Sequence, residues 1–302
     1  MTDSTDSRPL PPSGEDRYAW QEAVTGFGAE GQKRLRDATV LVSRVGGVGG
    51  TAAIYLAAAG IGRLILAHAG PLRLDDLNRQ ILMNTPGLGQ SRADVATATL
   101  ASLNPDVAVE AVPENISPEN ALSLVRRCDL VVSAAPLFSE RLAMNAAAVA
   151  SGTPLVDAAM YDMEARLFVR ETASDPCLAC LYPADPPEWN RRFPVLGAVS
   201  GTIGSLAALA AIQVLADMPR AAAGRLTHLD LSTLSQQHVI IQRRTHHADA
   251  TDTQQSPSLD SQASEREVRL VCASDESVAV RKEKVVSCLL GALCLHSHAG
   301  HC

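Results

Sequence analysis

The stretch Ala38-Thr39-Val40-Leu41-Val42-Ser43-Arg44-Val45-Gly46-Gly47-Val48-Gly49-Gly50, continued by Thr51-Ala52-Ala53-Ile54-Tyr55-Leu56-Ala57-Ala58-Ala59-Gly60, decides the fold. A β-branched run passes through clustered glycines into an alanine-rich, apolar helical pattern. A second strand-like run, residues 62–68, follows at once, so the stretch opens a βαβ unit. Glycines at such a turn let the backbone approach a phosphate, and the helix N-terminus offers free N–H groups to an anion. They also suit a packed turn that binds nothing. The fit to G-x-G-x-x-G is imperfect: Arg44 stands where the first glycine belongs, and His68 ends the second strand where an acidic residue would hold a ribose hydroxyl.

Working outward, helical patterns at 91–103, 117–127 and 140–151 alternate with strand patterns at 107–112, 129–134 and 153–157. Ser117-Pro118 reads as an N-cap with proline in the first helical position. This alternation predicts an α/β fold with a doubly wound, Rossmann-like, mostly parallel sheet over residues 38–158. The pattern then changes. Residues 165–170 alternate like an antiparallel strand, Cys177-Leu178-Ala179-Cys180 follows in a loop, and 197–216 read as a long apolar helix. Runs at 226–231 and 237–242 complete an antiparallel C-terminal extension. The predicted domain therefore spans 16–247, between a disordered tail at 1–15 and a mostly disordered one at 248–302.

The 302 residues carry a net charge of −7, which argues against nucleic acid as a partner. The N-terminus lacks the basic start and apolar core of a signal peptide. No apolar run is read as approaching the roughly 20 residues of a membrane span, and the longest late one, 285–295, is interrupted by Ser287 and Gly291. Seven scattered cysteines do not form a secreted disulfide framework. The expected location is the cytoplasm, with no membrane partner.

More specific marks occur in order along the chain. They are Arg17-Tyr18 with Gln21, Gly26-Phe27-Gly28, the Gly46-to-Gly49 turn, Asp76-Leu77-Asn78-Arg79-Gln80, Leu88-Gly89-Gln90-Ser91-Arg92-Ala93 and Leu103-Asn104-Pro105. Phe138 with Arg141 and Asn145, Cys177 to Cys180-Leu181-Tyr182-Pro183, and Val195-Leu196-Gly197 to Leu206 follow. Together these resemble the ThiF/MoeB/HesA family, prokaryotic relatives of ubiquitin-activating enzymes, over about residues 17–247. The resemblance implies a homodimer, or a heterodimer with a related subunit, that binds ATP and magnesium. It also implies adenylation of the C-terminal carboxylate of a ubiquitin-like sulfur carrier or a peptide. It assigns Arg79 and Arg92 as catalytic contacts to phosphate, a salt bridge on the loop being the equal alternative for Arg79, and Gly46, Gly47, Gly49, His68, Asn78, Gln80 and Pro136 as the positions that face the nucleotide and its metal.

Several of those positions depart from the family pattern. Arg92 replaces a lysine, a change that keeps the charge but not the shape. His68 replaces the ribose-binding aspartate, Gly70 the second acidic position, and Pro136 the metal-binding aspartate. Proline offers magnesium no side-chain oxygen. Trp20 stands where the family sends an arginine across the dimer, and Arg44 puts a side chain where phosphate or adenosine belongs. Asp157, Asp162 and Glu140 are the carboxylates nearby in sequence that could substitute. Cys177 and Cys180 match half of a four-cysteine zinc site, whose other half reads His246-His247 here. Two reduced thiols are the preferred reading, a Cys2His2 zinc site the alternative. Asn190-Arg191-Arg192-Phe193 occupies the place of a sulfur-transferring cysteine. The expectation is an adenylation-deficient binding or partner subunit. The alternative is an active adenylyltransferase with substituted ATP-site residues.

Overall fold

The computed structural model describes residues 17–182, 193–220 and 223–244. Two helices lead in, α1 (Ala19–Glu22) and α2 (Gly28–Asp37), followed by β1 (Thr39–Ser43), α3 (Gly47–Ala58) and β2 (Arg63–Ala67). Short 3-10 turns, Leu74–Asp76 and Thr85–Gly87, interrupt the long connection to α4 (Arg92–Leu103). Then come β3 (Ala108–Val112), α5 (Ala121–Val125), β4 (Leu130–Ser133), α6 (Phe138–Ser151), β5 (Leu155–Tyr161) and β6 (Glu164–Arg170). The last elements are α7 (Leu178–Leu181), α8 (Gly197–Leu215), β7 (Arg225–Asp230) and β8 (Ser235–Ile240).

The eight strands form one sheet in the order β3-β2-β1-β4-β5-β6-β7-β8. Pairing is parallel from β3 to β5 and antiparallel from β5 to β8. Because β1 lies between β2 and β4, the strand order reverses there, and a crevice opens at the C-terminal ends of β1 and β4. Side chains alternate across each strand, so Val40, Val42, Leu64 and Leu66 face α3, α4 and α8, while Leu41, Ile65 and Val131 face α5 and α6.

Some expectations are corrected. The helix read from Ser117 begins at Ala121, because the Asn120 side chain accepts from the Ser117 N–H at 2.8 Å and closes a turn ahead of it. Cys177 and Cys180 are not in a loop: Cys177 caps α7 and Cys180 lies within it. The reading that no run approaches a membrane span fails for α8, whose 19 residues are long and apolar enough to cross one by length and composition alone. This helix packs across α3 and the sheet, burying Ile203, Ala207 and Ala211. The two tails, 1–15 and 248–302, and the His246-His247 and Asn190-Arg191-Arg192 segments lie outside the described residues.

The N-terminal marks turn out to be fastenings. Asn104 donates to the Ala57 carbonyl at 2.7 Å and to the Tyr18 hydroxyl at 2.8 Å, and Gln21 donates to the Ala59 carbonyl at 2.9 Å, tying α1 to the end of α3. Helix α8 approaches α3 just as closely. A Cβ on Gly204 would sit 2.5 Å from the Val48 carbonyl, whereas one on Gly201 would meet nothing within 4 Å. Gly204→Ala is therefore expected to lower stability by about 1–3 kcal/mol through overpacking. Gly201→Ala is expected to raise it by roughly 0.5–1 kcal/mol, the helix-interior preference for alanine. Urea midpoints of the two variants read the difference.

Candidate functional site

The crevice at the strand reversal is a cleft of about 1270 Å³. The glycine turn, the ends of β2 and β4, the connection from β2 to α4, and β5–β6 all line it. Of the predicted site residues, Gly46, Gly47, His68, Asn78, Arg79, Gln80, Arg92 and Pro136 all lie on its wall. Gly49 sits beneath it. A Cβ there would meet the Arg44 carbonyl at 2.7 Å, and one on Gly47 would meet the Ser200 hydroxyl at 2.5 Å. Packing therefore suffices to require glycine at both positions. Gly46 is different, with its nearest neighbour 3.7 Å from a built Cβ.

Arg44 lies on the cleft wall and is engaged there by a partner. Its backbone is left-handed (φ 56°), the conformation for which the family pattern keeps a glycine. Its guanidinium turns to Glu140 on α6, with Nε donating to Oε2 at 2.8 Å and Nη2 to Oε1, and both side chains are buried. Glu140 is thereby engaged. Asp157, the second candidate replacement ligand, accepts from Ser133 at 2.8 Å and from Arg141 Nε at 3.0 Å, with Arg141 Nη2 closing a bidentate pair. Asp162 sits in the tight turn joining β5 to β6 with a left-handed backbone (φ 53°).

The signal least visible in the sequence is Asp76. Buried beside the cleft, its carboxylate accepts from Arg92 Nε at 3.0 Å and Nη2 at 2.5 Å, from Gln80 Nε2 at 2.8 Å, and from the Arg73 backbone N–H at 3.0 Å. Arg79 reaches the same carboxylate at 3.4 Å and also donates to the Asp75 carbonyl at 2.6 Å. Three side chains read as separate phosphate or nucleotide contacts thus share one anion. The same holds around the cleft: Arg73 pairs with Asp75, Arg141 with Asp157, and Arg166 with Glu164. All six described arginines on the wall have a carboxylate within 4.0 Å.

The donor set does not fit magnesium. At the end of β4, Pro136 supplies no side-chain oxygen, and the carboxylates behind it are held by guanidinium groups. Among the described residues no three His, Cys, Asp or Glu side chains converge as a metal would require. Cys177 and Cys180 lie off the cleft wall, behind Tyr182, with their sulfurs 3.7 Å apart. Tyr182 meets Phe138 edge-on at 4.9 Å, and Asn145 accepts from the Leu178 N–H at 2.8 Å, which joins α7 to α6.

The sequence pattern of the ThiF family matches residues 18–251. The chain belongs to the ThiF family. It is 45% identical to the heterocyst HesA protein of Trichormus variabilis over 74% of this chain and 84% of that one. It is 36% identical to the sulfur carrier protein adenylyltransferase of Thermus thermophilus over 76% and 88%. Among solved structures, E. coli MccB with ATP superimposes with a TM-score of 0.67 at 19% identity, covering 78% of this chain and 74% of that one. That last likeness concerns the fold.

The weight of Asp76 can be measured. Asp76→Ala leaves the Arg92 guanidinium buried without its carboxylate, and the expected cost is about 3–5 kcal/mol. Asp75→Ala, at an exposed pair, should leave the urea midpoint where it is.

Proposed function

We propose that this ThiF-family chain is an adenylation-deficient, HesA-like binding or partner subunit of a cytoplasmic biosynthetic pathway. It would hold a small carrier protein or a peptide without activating it by ATP. The observation that carries this reading is the charge balance of the cleft. A triphosphate and its metal need unpaired cations and a free carboxylate, since charge building at the α-phosphate must be neutralised. Here the six guanidinium groups on the wall lie against five carboxylates, Asp76 serving both Arg79 and Arg92, and Pro136 stands at the position the family resemblance gives to the metal ligand. A polyanion entering this cleft has to displace Asp76 from Arg92 and Arg79 or remain beside it, and either is unfavourable. Loss of one charge-stabilising group of this kind costs roughly a hundredfold or more in rate.

The partner class follows from the relatives, since the Thermus protein is an adenylyltransferase of a sulfur carrier protein and MccB has been solved with MccA. A second copy of the chain, or a related subunit, fits the outer face of α3 and α8. Neither helix contains a charged residue, and both expose apolar side chains there, Tyr55 and Leu209. The competing reading is an active adenylyltransferase. It draws on Arg79, which is partly exposed at the cleft and could swing from Asp76 to a phosphate.

Calorimetry with magnesium and ATP separates the two. The proposal expects no binding at about 1 mM nucleotide, which corresponds to less than about 4 kcal/mol, and no ATP–pyrophosphate exchange with candidate carriers. The double variant His68→Asp, Pro136→Asp is expected to gain at least about tenfold in magnesium-dependent ATP binding, about 1.4 kcal/mol. Micromolar binding and exchange by the unaltered protein would sink the proposal. If Arg79→Ala then abolished that binding, the active reading would stand.

A further inference from the structure

Cys177 and Cys180 supply only two of the four thiolates of the zinc site that the family resemblance implies for them. Both thiols are buried, and their sulfurs lie 3.7 Å apart with no bond between them. A tetrahedral site needs two further ligands of nitrogen, sulfur or oxygen. Among the described residues no further His, Cys, Asp or Glu joins the pair, and the place of the family's second cysteine pair reads His246-His247, outside the described residues. The Arg244 backbone N–H donates to the Cys180 sulfur at 3.5 Å.

We infer that Cys177 and Cys180 form a redox-active dithiol that closes to a disulfide under peroxide. The first thiol attacks hydrogen peroxide, giving a sulfenic acid and water. The second thiol attacks that sulfur, forming the S–S bond and releasing a second water. Two thiols and one peroxide thus give one disulfide and two waters, the peroxide taking both electrons. Peroxide is small enough to reach a buried pair, and the resolving sulfur already waits 3.7 Å away. Closing to about 2.05 Å draws the first turn of α7 together. The change is transmitted to the cleft, because Tyr182 at the end of α7 packs on Phe138 and accepts from Arg166 at 3.3 Å. The one remaining described thiol, Cys128, is a contrast: burial pushes its thiol up to about 12, and no second sulfur lies beside it among the described contacts.

The test uses the full chain, treated with hydrogen peroxide, alkylated under denaturing conditions and digested with trypsin. The tryptic fragment 171–191 contains Cys177 and Cys180 and no other cysteine. The expected result is a fragment two hydrogens lighter that resists alkylation until dithiothreitol restores both sites, with Cys128 still fully alkylated. Metal analysis of the untreated protein should show zinc far below one per chain. In Cys180→Ser, Cys177 should stop at a sulfenic acid trapped by dimedone. Stoichiometric zinc, two thiols that stay alkylatable after peroxide, or oxidation to sulfinic acid without a disulfide would each overturn the inference.

Discussion

The buried carboxylate of Asp76 sets both the shape and the charge of the cleft. It draws Arg92 from the start of α4, Arg79 and Gln80 from the connection after β2, and the Arg73 backbone onto one point. A buried guanidinium is tolerated only when it is paired and its hydrogen bonds are satisfied. The connection between β2 and α4 therefore owes its form to a cation and an anion that are both withdrawn from the ligand. The pairs Arg44–Glu140 and Arg141–Asp157 repeat this arrangement on the side of α6. What faces the cleft is a surface rich in arginine in which each guanidinium lies against a carboxylate.

That pairing separates scaffold from chemistry. The reversal of strand order between β1 and β4 makes a crevice whatever the side chains at its rim, because the helices leave the two strands toward opposite faces. The glycines at its floor belong partly to that scaffold. Gly47 and Gly49 let α3 approach Ser200 on α8 and the turn backbone, a requirement that holds with or without a phosphate. The cleft wall also takes in the ends of β2 and β4, where a histidine and a proline stand.

The same division runs through the polar marks along the chain. Tyr18, Gln21 and Asn104 bind α1 to the end of α3, and Asn145 binds α6 to α7. Gln21, Asn104 and Asn145 meet backbone groups at helix ends, Ala59 and Ala57 at the end of α3 and Leu178 at the start of α7, and Tyr18 meets the Asn104 side chain. They keep the family's architecture in place independently of its reaction.

Alternating apolar periods of two and of about 3.6 residues, with glycine at the first turn, were enough to read the parallel sheet, its crossovers and the antiparallel extension from the amino-acid sequence. Burial imposes those periods locally. Local pattern was also enough to show His68 and Pro136 at the ends of their strands, because a strand end follows directly from the strand. It could not show that Arg44 pairs with Glu140, that Arg79 and Arg92 share Asp76, or that a backbone N–H meets a sulfur of α7. Each of those facts joins residues that are distant in the chain or hidden behind a short turn. Only the packed fold brings one charge within reach of another, and a guanidinium's role depends on which carboxylate it meets there.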